Sequence, residues 1–188
     1  MSPDLQRARG FTLVELIIVV IVIGIMAAVL SPLALSSLRA YDDTLGDVVV
    51  LDKLRYATER LAREIRQVNY DTTSGFAFTS GVMSADNMAF TRTSYDSGGA
   101  SSVVAVTVGN TGSAVTLAYS TPAIAAQVLT DELNGSAGLS FSYLSSDGVT
   151  PTTDPLLVRS VQISLSLLHN GNTYPQRTQV ELKNFIKP

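Results

Sequence analysis

The 188-residue chain reads as an α+β protein. A long N-terminal α-helix, apolar and membrane-spanning in its first half, packs through its second half on a C-terminal antiparallel β-sheet. Three observations predict this. Residues 11–30, FTLVELIIVVIVIGIMAAVL, hold a single ionisable group. Apolar residues then recur at three- and four-residue steps as far as Val68. After Asn69 the composition turns to Ser, Thr and Gly with short apolar runs, one of which alternates strictly.

The first twenty of these residues, as a helix, extend roughly 30 Å, about the thickness of a bilayer core. The run is longer than the apolar region of a cleaved signal peptide. Arg7 and Arg9 precede it, so the positive-inside tendency places residues 1–10 in the cytoplasm. Glu15 is the exception inside the run. A carboxylate at a bilayer centre costs on the order of 3 kcal/mol on insertion scales, so it requires a partner.

The helix is expected to continue to about Val68. Leu38, Tyr41, Leu45, Val48, Leu51, Leu54, Leu61, Ile65 and Val68 trace one apolar face. Asp42, Asp43, Asp52, Arg55, Arg60, Arg63 and Arg66 occupy the other, and Glu59 and Arg63 stand four apart in the favourable order. Gly24 and Pro32 interrupt the segment. Pro32 lacks an N–H and crowds the preceding turn, which predicts a kink there.

Gly75–Thr79 and Met88–Thr93 read as short strands. Val103–Val108 and Val115–Tyr119 flank Gly109-Asn110-Thr111-Gly112 as a hairpin. Residues 124–133 fit a helix or a strand. Leu139–Tyr143 alternates, and Ser145–Pro155 is a loop. Val161, Ile163, Leu165 and Leu167 alternate with polar residues, the cleanest half-buried strand in the chain. Asn170-Gly171 turns it back into Thr178–Leu182. The resulting sheet buries one face against the C-terminal half of the helix.

The chemistry-bearing residues are sparse. The net charge is −3, which removes the general electrostatic case for nucleic acid. There is no Cys, hence no disulfide, thiolate metal site or Cys nucleophile. His169 is the only histidine and reads as a surface-loop residue, since a metal site needs several convergent ligands. Asp147 and Asp154 share a loop but lack EF-hand spacing. Asn134-Gly135-Ser136 matches a glycosylation sequon by accident. Arg55, Arg60, Arg63, Arg66 and Arg92 have acids between them and no regular aromatic interleaving, so they do not read as a nucleic-acid surface. No catalytic triad spacing or phosphate-cradling loop is present. The reading is a non-enzyme without cofactor or metal.

The junction RGFTLVEL, residues 9–16, closely resembles the cleavage and methylation motif of type IV pilins and type II secretion pseudopilins. The resemblance implies the type IV pilin fold. It implies a leader, residues 1–10, removed after Gly10 by the prepilin peptidase, and N-methylation of the new terminus at Phe11. It implies that Glu15 neutralises the terminal ammonium of a neighbouring subunit during assembly. Many type IV pilins carry a glycine and a proline near the positions of Gly24 and Pro32. Residues 11–33 then form the transmembrane or filament-core half of the helix, and 34–188 the periplasmic globular domain. The implied partners are other pilin subunits, the peptidase, an inner-membrane assembly platform and membrane lipid. The implied location is the inner membrane before assembly and the pilus surface afterwards.

The stretch LRYATERLAREIRQV at 54–68, with LSFSYLSSDG and VRSVQISLSL, resembles minor pilins of the MSHA-biogenesis O, PilW-like and type II secretion J groups. The implied function is a minor pilin that initiates or caps a pilus used in adhesion or motility. The alternatives are a type II secretion minor pseudopilin and a membrane-tethered periplasmic binding module.

Overall fold

A computed structural model describes residues 11–78 and 83–183. One helix, α1, spans Leu13–Ile65. Nine strands follow: β1 Tyr70–Asp71, β2 Gly75–Phe76, β3 Met88–Tyr95, β4 Ser101–Asn110, β5 Val115–Ser120, β6 Ala123–Thr130, β7 Leu139–Leu144, β8 Ser160–His169 and β9 Asn172–Glu181. A short 3₁₀ turn, Ser136–Gly138, precedes β7. The chain divides into two units, one ending at Gly46 and one beginning at Asp47.

In the first unit α1 runs without a break through Gly24 and Pro32. The serine hydroxyls around Pro32 bond back to helix carbonyls: Ser31 donates to Ala27 O at 2.8 Å, and Ser36 and Ser37 each donate to Leu33 O at 2.9 Å. These bonds keep polar side chains satisfied inside an apolar helix. Every described residue from Phe11 to Thr44 is exposed.

In the second unit the last turns of α1 join both larger sheets in a single core. Val50, Leu54, Ala57, Leu61, Ala62 and Ile65 pack in one cluster with Phe90, Val104, Val106 and Val108 of the first sheet and Phe141, Val161, Ile163 and Leu165 of the second. This is the α+β architecture expected. The predicted face holds for Leu54, Leu61, Ile65 and Val68, all buried. It fails for Leu38, Tyr41, Leu45, Val48 and Leu51, all exposed. Val48 precedes Val50 by two residues, about 200° around a helix at 3.6 residues per turn, so the two cannot share a face. The helix ends at Ile65 rather than Val68, and Val68 pairs opposite Arg92.

The strands are antiparallel, as expected, but form three sheets rather than one: β1-β2, β3-β4-β5-β6 and β7-β8-β9. The hairpin at 109–112 joins β4 to β5 with Asn110 opposite Val115, and Asn110 Oδ1 accepts from Gly112 N at 2.8 Å. Residues 123–130 resolve as strand. The Asn170-Gly171 turn has φ 48° and 79°, the left-handed geometry of a two-residue hairpin. It starts β9 at once at Asn172, six residues before the expected Thr178. Gly75–Thr79 shrinks to the two residues of β2, with Phe78 bridging Phe90; Thr79 lies outside the described residues. The 145–155 loop also makes one strand-like bridge, Leu144 to Pro151.

Val161, Ile163, Leu165 and Leu167 are all at most 1% exposed, as the alternation predicts. Replacing Ile163 by Asp buries an unpaired charge and should cost about 4 kcal/mol or more, while Ile163→Val should cost about 1 kcal/mol. Denaturant unfolding of the full chain in detergent, followed by circular dichroism, checks both. An unchanged transition for Ile163→Asp contradicts the packing.

Candidate functional site

Two places concentrate polar chemistry. The first is the start of α1. Phe11 and Thr12 precede the helix, and Thr12 Oγ1 accepts a hydrogen bond from Glu15 N at 3.3 Å. Leu16 N donates to Thr12 O at 3.2 Å. Thr12 is therefore the N-cap and Glu15 the third helical residue, the spacing of a Thr-x-x-Glu capping box. Sequence reasoning missed this role, although the spacing was legible in Thr12-Leu13-Val14-Glu15. The carboxylate also stands where the helix macrodipole is positive.

Phe11 and Glu15 are both exposed, as are Gly24 and Pro32. A Cβ added at Gly24 would meet nothing within 4 Å. Gly10, with Arg7 and Arg9, lies outside the described residues. Leu13–Ile65 contains a window long and apolar enough to cross a membrane, with none of it buried within the chain.

With this geometry, the chain matches the family model for the prokaryotic N-terminal methylation motif over residues 5–31. That motif is the one found at the N-terminus of type IV pilins and pseudopilins, and the match supports that family. A comparison with curated proteins found no match. The pilin-type motif points to a structural subunit that assembles with other pilins after peptidase processing, and its apolar helix to membrane anchoring.

The second place is a buried ionic cluster in the compact unit. Glu64 is 2% exposed. Its Oε1 lies 2.8 Å from Arg60 Nη2 as an ion pair and accepts from the Tyr119 hydroxyl at 2.9 Å. Its Oε2 lies 3.1 Å from Arg92 Nε, an ion pair without a hydrogen bond. Arg60 also donates to the Tyr119 oxygen at 2.7 Å, and the Arg92 guanidinium lies 5.8 Å from the Tyr119 ring centroid. Burial, reinforced by the Glu64 carboxylate, pushes the Tyr119 phenol above its ordinary pKa. The cluster ties α1 to β3 and β5. Sequence reading put Arg60 on a solvated face and did not single out Glu64. It also paired Glu59 with Arg63, whereas Glu59 bonds Arg55 at 2.8 Å. Both arginines stand four residues from Glu59, and Arg55 takes the contact.

His169 is not a surface-loop residue. It ends β8, and its Nδ1 lies 2.9 Å from Glu132 Oε1. Lys53 donates to Glu132 at 3.2 Å and to Asp131 at 2.7 Å. The His169 contact first, then Lys53, holds the Glu132 carboxyl below its usual range. Asp147 and Asp154 each close their own turns. Asp147 Oδ1 accepts from Val149 N and Thr150 N at 2.9 and 2.8 Å, and Asp154 Oδ1 from Leu156 N at 2.9 Å. No group of three metal-ligating side chains occurs among the described residues.

Glu64→Ala should leave two guanidiniums facing each other without their carboxylate, at a cost of about 3–5 kcal/mol. Tyr119→Phe removes one neutral partner and should cost about 1 kcal/mol. Denaturant unfolding of both variants checks the order; equal losses would deny Glu64 its central place.

Proposed function

We propose that the chain is a minor type IV pilin, a structural subunit that initiates or caps a pilus used in adhesion or motility, most like the MSHA-biogenesis O-type or PilW-like group. The observation that carries this reading is the methylation motif running directly into an exposed apolar half-helix, residues 11–33, whose one carboxylate, Glu15, lies one turn from Phe11. Residues 1–10 act as the leader, 11–33 as the membrane-spanning and later filament-core half of α1, and 34–188 as the periplasmic domain. The peptidase cuts after Gly10 and methylates Phe11, which keeps the terminal amine charged.

In this reading Glu15 meets the Phe11 ammonium of a neighbouring subunit. Packed helices offset along a common axis bring the two together. Opposite charges attract strongly in low dielectric, and desolvation offsets much of the gain, so the pair acts as a register device. Gly24 and Pro32 are the points at which the helix yields to its neighbours. The other partners are major and minor pilins, the inner-membrane assembly platform and lipid.

Processing gives the first test. Gly10→Val should leave an uncleaved precursor in the inner membrane, and N-terminal sequencing of the mature wild-type protein should begin at Phe11. A mature start near Ser31 would mean ordinary signal cleavage and end the reading.

Assembly gives the second. Glu15→Val should be processed normally yet fall severalfold in sheared filaments relative to its processed amount in the membrane, with Glu15→Asp intermediate. Glu15→Gln separates the two roles of this residue. It keeps the capping-box pattern and loses the charge, so it should assemble as poorly as Glu15→Val. Wild-type incorporation of Glu15→Gln would assign the residue to capping alone.

A further inference from the structure

The compact unit carries a groove of about 380 Å³ between α1 and β6. It is lined by Tyr56, Arg60, Tyr119, Ile124, Val128 and Leu129, among others, and no carboxylate is among its lining residues. A break in the strand builds it. Against β5, β6 slips twice: Val115 pairs with Thr130 but Thr116 with Val128, and Leu117 pairs with Gln127 but Tyr119 with Ile124. Each slip adds a residue on β6, and a bulge re-aims side chains that a regular strand would alternate. Gln127, Val128 and Leu129 consequently all line the groove, although they are consecutive.

Three features single it out. β6 is the outer strand of its sheet and holds no charge or proline, and its residues 123–128 are all exposed. The other outer strands are defended by the usual means. β3 is bridged by Val68 and Phe78, β7 is met by Ala85 O at Phe141 N and by Pro151 opposite Leu144, and β9 carries Pro175, Arg177 and Glu181. Apolar groups are left in water at the groove, with Val128 65% and Tyr56 62% exposed. The wall is also electropositive, because Arg60 and Arg92 share the one carboxylate of Glu64 and leave the cluster with an excess cation.

We propose that this groove docks an extended segment of another polypeptide that presents an apolar side chain next to a carboxylate. The apolar side chain covers Ile124, Val128 and the Tyr56 ring. The carboxylate approaches the outer side of the Arg60 guanidinium, whose side chain is 32% exposed, and balances the charge that Glu64 leaves over. The segment requires neither Glu15 nor the apolar half of α1, so the proposal stands apart from the assembly role of the N-terminus.

The test uses the full chain in detergent micelles and two synthetic probes, the blocked peptide Ala-Leu-Glu-Leu-Ala and its twin with Gln in place of Glu. Calorimetric titration should show the Glu peptide binding about tenfold more tightly than the Gln peptide, the size of one charge-assisted contact at a half-exposed site. Val128→Ser, at an exposed position outside the core, should weaken both peptides by a similar factor. Arg60→Gln should abolish the preference for Glu while the circular dichroism spectrum stays that of a folded chain. Equal affinity for the two peptides, no binding of either, or binding unaffected by Val128→Ser overturns the proposal. So does self-association of the full chain that Val128→Ser disrupts, since the occupant is then a second copy. Because the readout is peptide binding to purified chain, its failure leaves the filament-incorporation test of Glu15 untouched.

Discussion

One helix has to satisfy two kinds of surroundings, and the rest of the protein follows from that constraint. From Leu13 to Leu35 every large apolar side chain is exposed. At about 25 cal/mol per Å² of apolar surface, leaving such a rod in water is prohibitive. Nothing within its own unit covers it, so the cover has to come from outside that unit. From Val50 to Ile65 the same helix buries a single face in a core shared with two sheets. The first half is therefore apolar all round, and the second is amphipathic. A single ionisable residue within the first half is then a conspicuous expense, which is why Glu15 organises the functional reading.

The sheet elements were legible where one face is buried and the other wet. Val161 to Leu167 alternate cleanly because β8 is the central strand of its sheet and presses one face on the core. Asn170-Gly171 announced its turn because left-handed backbone at two successive positions favours those residues. β6 could not be told from a helix because six of its eight residues are exposed and its bulges break the alternation. The early start of β9 was hidden for a related reason. Its inward residues Tyr174, Gln176 and Thr178 are polar and only half-buried, so no apolar pattern marked them. The division into three sheets depends on which strands pair at long range, and no local pattern records that.

The helix shows how a strong signal misleads. Its bulky residues Leu45, Val48 and Leu51 invited the line of an apolar stripe, yet the buried face contains Ala57, Thr58, Ala62 and Glu64. Small and polar residues dilute a buried face until periodicity no longer finds it. Glu64 was invisible because a buried carboxylate is recognised by what surrounds it, and Arg92 and Tyr119 arrive from β3 and β5, 28 and 55 residues later. His169 was misplaced because its partner Glu132 is 37 residues away. The N-terminal site was the opposite case. The methylation motif lies within a few residues, so local sequence sufficed to recognise it, and the capping role of Thr12 escaped notice.

That capping role bears on why the charge at Glu15 can be retained. The first turn of a helix exposes N–H groups that have no internal partner, and in a lipid or a packed bundle water is not there to satisfy them. Thr12 Oγ1 takes one of these donors, from Glu15 itself. The carboxylate sits in the favourable field of the same helix end, worth about 0.3–1 kcal/mol at exposed sites. The local geometry thus removes part of the cost of the charge before any neighbour arrives. In the proposed assembly a partner ammonium would add attraction that desolvation largely cancels. Its contribution would be the selection of one axial offset among many along a helix that is otherwise smoothly apolar. A featureless apolar rod can slide against its neighbours at little energetic cost, whereas one with a single carboxylate near its end has one offset at which that charge is matched.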